Sequence, residues 1–152
     1  MPVGHVPSGV NRRTFLSVAG VGLSASLAGC ADTDTDTAGG FDVGMTARRF
    51  EPARIDIAPG TTVVWRNTSA VAHTVTAREE QIPDTAAFFA SGGYETQSDA
   101  ERAWGERSGA IDEGESFAHE FAVPGEYAYY CIPHEATGMA GVVTVSESAG
   151  NG

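Results

Sequence analysis

From Phe41 onward the chain runs in short apolar or alternating stretches separated by Gly, Pro and Asn, the period-2 texture of half-buried strands. Strands are predicted over Phe41–Thr46, Ala53–Ala58, Thr61–Asn67, His73–Ala77, Ser116–Val123, Glu126–Cys131 and Gly141–Val145. Ile55 and Ile57 alternate with Arg54 and Asp56, as one buried face requires. Pro59-Gly60 and Pro124-Gly125 supply turns between strands. The pattern predicts an all-β fold, a β-sandwich, interrupted once. Between Arg78 and Glu115 no strand pattern holds. Ala86-Ala87-Phe88-Phe89-Ala90 predicts a helical turn, Ser91-Gly92-Gly93 breaks it, and Asp99 to Arg107 is polar around Trp104. This is read as one long, partly helical loop insertion with no assigned chemistry.

The first forty residues have a different texture. Asn11 to Cys30 reads N-R-R-T-F-L-S-V-A-G-V-G-L-S-A-S-L-A-G-C, a twin arginine followed by an apolar stretch of small residues. It resembles a Tat export signal. A retained membrane span is the weaker reading, because Phe15 to Ala28 falls short of the ~20 apolar residues a spanning helix needs. Leu27-Ala28-Gly29-Cys30 resembles a lipobox, which marks Cys30 as a lipidation site. Ala31 to Gly40 alternates acids with threonine and holds no large apolar residue, so a disordered tether is expected. The expected layout is a signal over 1–29, an anchor and tether over 30–40, a folded domain over 41–147 and a tail over 148–152.

Length and charge narrow the class. The chain has 152 residues, enough for one modest domain, and 41% of them are hydrophobic. Its nine basic residues are all arginine, against twenty acids, for a net charge of −11. Loss of a signal carrying Arg12 and Arg13 would leave seven arginines against twenty acids, or −13. Nucleic acid is excluded as a partner by that sign. The acidic surface either keeps the domain soluble at high ionic strength or steers it to a cationic partner. Cys30 and Cys131 are the two cysteines, and a bridge between them is disfavoured because each sits in a motif of its own.

The candidate chemistry lies in Gly125 to Val145, G-E-Y-A-Y-Y-C-I-P-H-E-A-T-G-M-A-G-V-V-T-V. A strand delivers Cys131, a turn with Pro133 presents His134, and Met139 follows just before the next strand. Thiolate, imidazole and thioether in one loop suit a copper ion that cycles between Cu(II) and Cu(I). Such an ion wants a second imidazole. His73 is the best candidate, at a strand start after a bend marked by Asn67 and Ser69; His5 falls in the signal, and His119 sits mid-strand in the parity of Phe117 and Phe121.

F-E-P-A-R-I-D-I-A-P-G-T-T-V-V-W-R-N, then A-H-T-V, then Y-C-I-P-H-E-A-T-G-M-A-G, resembles the plastocyanin-type cupredoxins, and most closely the halocyanins of salt-adapted archaea. The resemblance covers about Phe41 to Glu147. It implies a cupredoxin-type Greek-key sandwich, one type 1 copper with His73, Cys131 and His134 equatorial and Met139 axial, and His134 as the electron's doorway. It further implies a small apolar partner patch of Pro133, His134, Ala140 and Gly141. The chain departs from the family at Thr74, where many relatives carry an Asn that braces the ligand loops.

The function expected is single-electron transfer at the outer face of the membrane. Membrane redox proteins would be transient donor and acceptor, the protein would be a monomer, and it would be no enzyme. A copper enzyme would need further His clusters, and a Cys-His hydrolase would need a third group to arrange Cys131 and His134. A copper carrier without a redox role remains the alternative.

Overall fold

A computed structural model describes residues 40–151. The chain forms β1 (Val43–Met45), β2 (Phe50–Glu51), β3 (Arg54–Ile57), β4 (Thr61–Asn67), β5 (Thr76–Ala77), α1 (Gln97–Trp104), β6 (Ser116–Phe121), β7 (Gly125–Tyr130) and β8 (Ala140–Val145). One sheet has the order β2-β1-β4-β6, the other β3-β8-β7-β5. The sandwich is as expected. β1 runs parallel to β4 and β3 parallel to β8, while the remaining pairs are antiparallel. Consecutive strands β3 and β4 lie in different sheets, so the Pro59-Gly60 turn carries the chain across the core.

Alternation dictates which side chains face inward. In β4, Val63, Trp65 and Asn67 are buried, and in β3 Ile55 and Ile57 are half-buried between exposed Arg54 and Asp56. Trp65 centres the core, in ring contact with Phe89, Phe117, Phe121 and Tyr129. Strand ends are shorter than predicted. His73 precedes β5 and makes only an isolated bridge to Ile111, and Phe41 is exposed ahead of β1. β2 is unpredicted: its two residues fold back on β1 and bury Phe50.

The insertion corrects one expectation. Ala86 to Ala90 is no helical turn. Ala77 N–H donates to Phe89 O at 2.9 Å, Ser91 N–H donates to Val75 O at 2.7 Å, and Ala90 bridges to Thr76. β5 is a sheet edge whose free backbone groups need partners, and this extended segment satisfies them while burying Phe89 and Ala90. The helix forms later, as α1, where Thr96 Oγ1 accepts the Asp99 N–H at 3.1 Å as an N-cap.

Register sets where the site lies. Thr76 pairs with Tyr130, and Tyr130 with Ala140. The start of β5, the end of β7 and the start of β8 therefore meet at one end of the sandwich. His73, Cys131 and Met139 sit just beyond those ends.

Candidate metal centre

Cys131 is the first residue past β7, and the chain then makes a 3-10 turn over Ile132–Thr137. The loop is stitched by its own backbone. Cys131 N–H donates to Met139 O at 3.0 Å, His134 N–H to Cys131 O at 3.1 Å, and Met139 N–H to His134 O at 3.2 Å. Gly138 closes the turn at φ 81, a left-handed conformation that costs glycine nothing. Pro133 lies in the first turn, where its missing N–H is not needed. His73 is held from the other side, by paired backbone bonds with Ile111 of 3.2 and 2.8 Å.

Three donor atoms converge. Cys131 Sγ is 3.3 Å from His134 Nδ1 and 3.6 Å from His73 Nδ1, and the three donors all lie within 4.8 Å of one another. An ion about 2 Å from each of three donors in a plane would hold them roughly 3.5 Å apart, so the spacing fits a trigonal metal site. His73 and Cys131 are fully buried, Met139 is buried and His134 is half-buried. No other group of three or more His, Cys, Asp or Glu among the described residues could hold a metal.

The sequence profile of the copper binding proteins of the plastocyanin/azurin family matches residues 38–146. The chain belongs to that family. It is 32% identical over 96 residues to plastocyanin from Scenedesmus fuscus, covering 63% of this chain and 85% of the relative. Plastocyanin from Lactuca sativa is 33% identical over 97 residues, covering 64% and 87%. In fold the chain is similar to amicyanin from Paracoccus versutus, with a TM-score of 0.51, 24% identity, and 76% and 87% of the two chains covered. This cupredoxin is a copper electron-transfer protein and not an enzyme, and its His73, Cys131 and His134 cluster is consistent with one type 1 copper.

The cupredoxin's electrostatics follow from burial. Desolvation lowers the pKa of His73 to about 4, with the nearby His134 adding to the fall and a hydrogen bond to the Thr46 backbone opposing it. Burial pushes the Cys131 thiol up, partly offset by hydrogen bonds from the Thr74 and His134 backbones. The metal-free site therefore holds a neutral imidazole beside a protonated thiol at neutral pH.

Thr74 answers the departure noted in the sequence. Its N–H donates to Cys131 Sγ at 3.4 Å and its hydroxyl accepts the Ile132 N–H at 2.8 Å, so a Thr ties the two ligand segments together here. His119 takes no part: it pairs across to Val63 in mid-strand and stacks on Phe89 at 4.5 Å between ring centres. Of the expected partner patch, Ala140 is exposed and Pro133 and His134 are half-buried. Gly141 is buried, and a Cβ there would sit 2.4 Å from the Tyr129 ring and 3.0 Å from Ala53 O. Strand β8 has begun by Gly141, and the side facing Tyr129 leaves no room for a side chain.

The structure adds residues that the motif did not indicate. Tyr130, next to Cys131, is buried with its hydroxyl donating to Glu101 of α1 at 2.5 Å, and the Arg78 guanidinium lies 4.2 Å over its ring. Arg78 also pairs with Glu135, beside His134, at 3.0 Å. The insertion thus packs against the ligand loop. Only the long-range pairing reveals this, since nothing local in Gln97–Trp104 points to Tyr130. Cys30 and the expected signal and tether fall outside the described residues, apart from Gly40.

Proposed function

We propose that His73, Cys131 and His134, with Met139 beside them, would hold one type 1 copper, and that electrons would enter and leave by the His134 edge. The observation that carries this reading is the convergence of one thiol and two imidazoles within 4.8 Å at a pole where His73 and Cys131 are fully buried. Copper supplies the one-electron Cu(II)/Cu(I) couple, and a thiolate, two imidazoles and a distant thioether suit both states. The chain's part is to hold those donors still. The Cys131–Met139 backbone bond, the Pro133 turn and the Thr74 bridge all resist movement on a change of oxidation state. Half-buried His134, with Pro133 and exposed Ala140 beside it, offers a small apolar contact suited to brief docking of donor and acceptor proteins.

The same reading extends to where the protein works. A Tat-type signal, Cys30 as a lipid anchor and the tether over 30–40 fit a monomer held on the outer face of the cell membrane, within reach of membrane redox proteins. Absence of lysine and a net charge of −11 suit a halocyanin of a salt-adapted cell, since acidic surfaces remain soluble where salt screens their repulsion. Mass spectrometry of the membrane-derived protein should find a lipid on Cys30, and Cys30→Ser should release the protein to the medium.

His134→Ala tests the route. The variant should keep its β-sheet circular dichroism and lose electron exchange with reduced cytochrome c. Exchange at the wild-type rate would reject His134 as the doorway, and rapid copper loss to a chelator without redox cycling would favour a carrier.

A further inference from the structure

The buried face of His73 meets a run of hydrogen bonds that starts at the Asn67 side chain. The Asn67 side-chain amide donates both hydrogens to backbone carbonyls, to Val71 O at 2.7 Å and Ile111 O at 2.9 Å. Its Oδ1 must then face the other way, where it lies 2.9 Å from Ser69 N and 2.9 Å from Ser69 Oγ. A carbonyl oxygen only accepts, so the Ser69 hydroxyl gives its one hydrogen to Asn67 Oδ1 at 2.9 Å or to Val71 O at 3.3 Å. Ser69 Oγ is left with lone pairs, and it sits 3.0 Å from His73 Nε2. With the hydroxyl hydrogen spent on a carbonyl oxygen, that contact is a hydrogen bond only if Nε2 carries the proton. Nδ1, on the opposite side of the ring and 3.6 Å from Cys131 Sγ, is then the bare nitrogen.

We propose that Ser69, oriented by Asn67, is a positioning residue that pins His73 in the Nε2–H tautomer and aims its Nδ1 at the metal before any metal arrives. Orientation of a ligand imidazole by a hydrogen bond from its second nitrogen is a general device of metal sites. Here the device is a side-chain hydroxyl anchored by a buried amide, because Asn67 is 1% exposed and fixed at both amide hydrogens. The backbone of Thr46 offers the same imidazole a further hydrogen-bond partner. Ile111 joins the relay to the insertion: its carbonyl accepts from both Asn67 and His73 N, which gives the returning end of that long loop a role in the site.

The inference rests on His73 being a copper ligand, and the test separates the two. On the metal-free domain, nitrogen-15 spectra should show a proton on His73 Nε2 and none on Nδ1. In Ser69→Ala the Nε2 proton should exchange with water about tenfold faster, as loss of one hydrogen bond implies. Ser69→Thr, which keeps the hydroxyl, should restore the slow rate. If Ser69→Ala does not fold, Ser69→Cys, similar in size but a weak acceptor, takes its place with the same expectation. Exchange in the variant within twofold of wild type would overturn the proposal, leaving the Thr46 backbone sufficient. Adding Cu(I) to the wild-type domain should shift the His73 Nδ1 resonance while Nε2 keeps its proton. An unmoved Nδ1 would reject His73 as a ligand and leave the exchange result intact.

Discussion

The Thr74 amide lies 3.4 Å from the Cys131 sulfur while the Thr74 hydroxyl accepts the Ile132 N–H at 2.8 Å, so one residue grips the metal thiol and its successor together. Thr74→Val keeps the amide and strips the hydroxyl, leaving a part-buried N–H without its partner. A loss of about 1–3 kcal/mol is expected. Denaturant unfolding should read that loss, and Thr74→Ser should recover most of it.

Gly141 packs where no side chain fits. An added Cβ would lie 2.4 Å from Tyr129 Cζ and Oη, so Gly141→Ala must push apart β7 and β8 or the Tyr129 ring. Destabilisation of roughly 1–3 kcal/mol follows from such overpacking. The neighbouring Ala140→Ser, at an exposed position, should shift the thermal midpoint little.

His73 makes the metal-free domain sensitive to acid. Its pKa falls from 6.5 when unfolded to about 4 when folded, so between those values the unfolded chain binds more protons. Its stabilising contribution is complete above about 6.5 and is lost as pH falls towards 4, to a total of roughly 3 kcal/mol. Urea midpoints of the metal-free domain should decline through that window, and His73→Gln should flatten the decline.

Copper uptake should release one proton at about pH 8, above the range in which imidazoles titrate. Burial holds the Cys131 thiol protonated, while His73 is already neutral. Binding as thiolate then displaces the thiol proton, and apparent affinity rises about tenfold per pH unit. Calorimetry in two buffers of different ionisation enthalpy counts the protons. None, or two, would contradict the account.

Legibility followed how local each signal was. Cys131, His134 and Met139 share one loop, so their spacing alone carried the chemistry, and His73 stood out as a histidine at a predicted strand start. The strands from Ile55 to Trp65 were visible in their alternation. What was not legible depended on partners remote in sequence. The run Ala86 to Ala90 has helical composition, yet β5's open edge draws it out straight. β2 is two residues long, below any periodicity. Gly141 reads as small and accessible until Tyr129 is placed against it. Ser69 and Asn67 read as a bend, and their hold on His73 needs Ile111, 44 residues past Asn67, to become visible.

The most direct test of the central claim is a Cu(II) titration of the domain from Phe41 onward at high salt, followed by optical absorption and EPR, beside Cys131→Ser. The account predicts one equivalent of copper, an intense blue thiolate charge-transfer band, a small copper hyperfine splitting, reversible bleaching by a one-electron reductant, and loss of the blue band in the variant. A pale, ordinary Cu(II) spectrum in the wild-type domain, or one unchanged by Cys131→Ser, would contradict it.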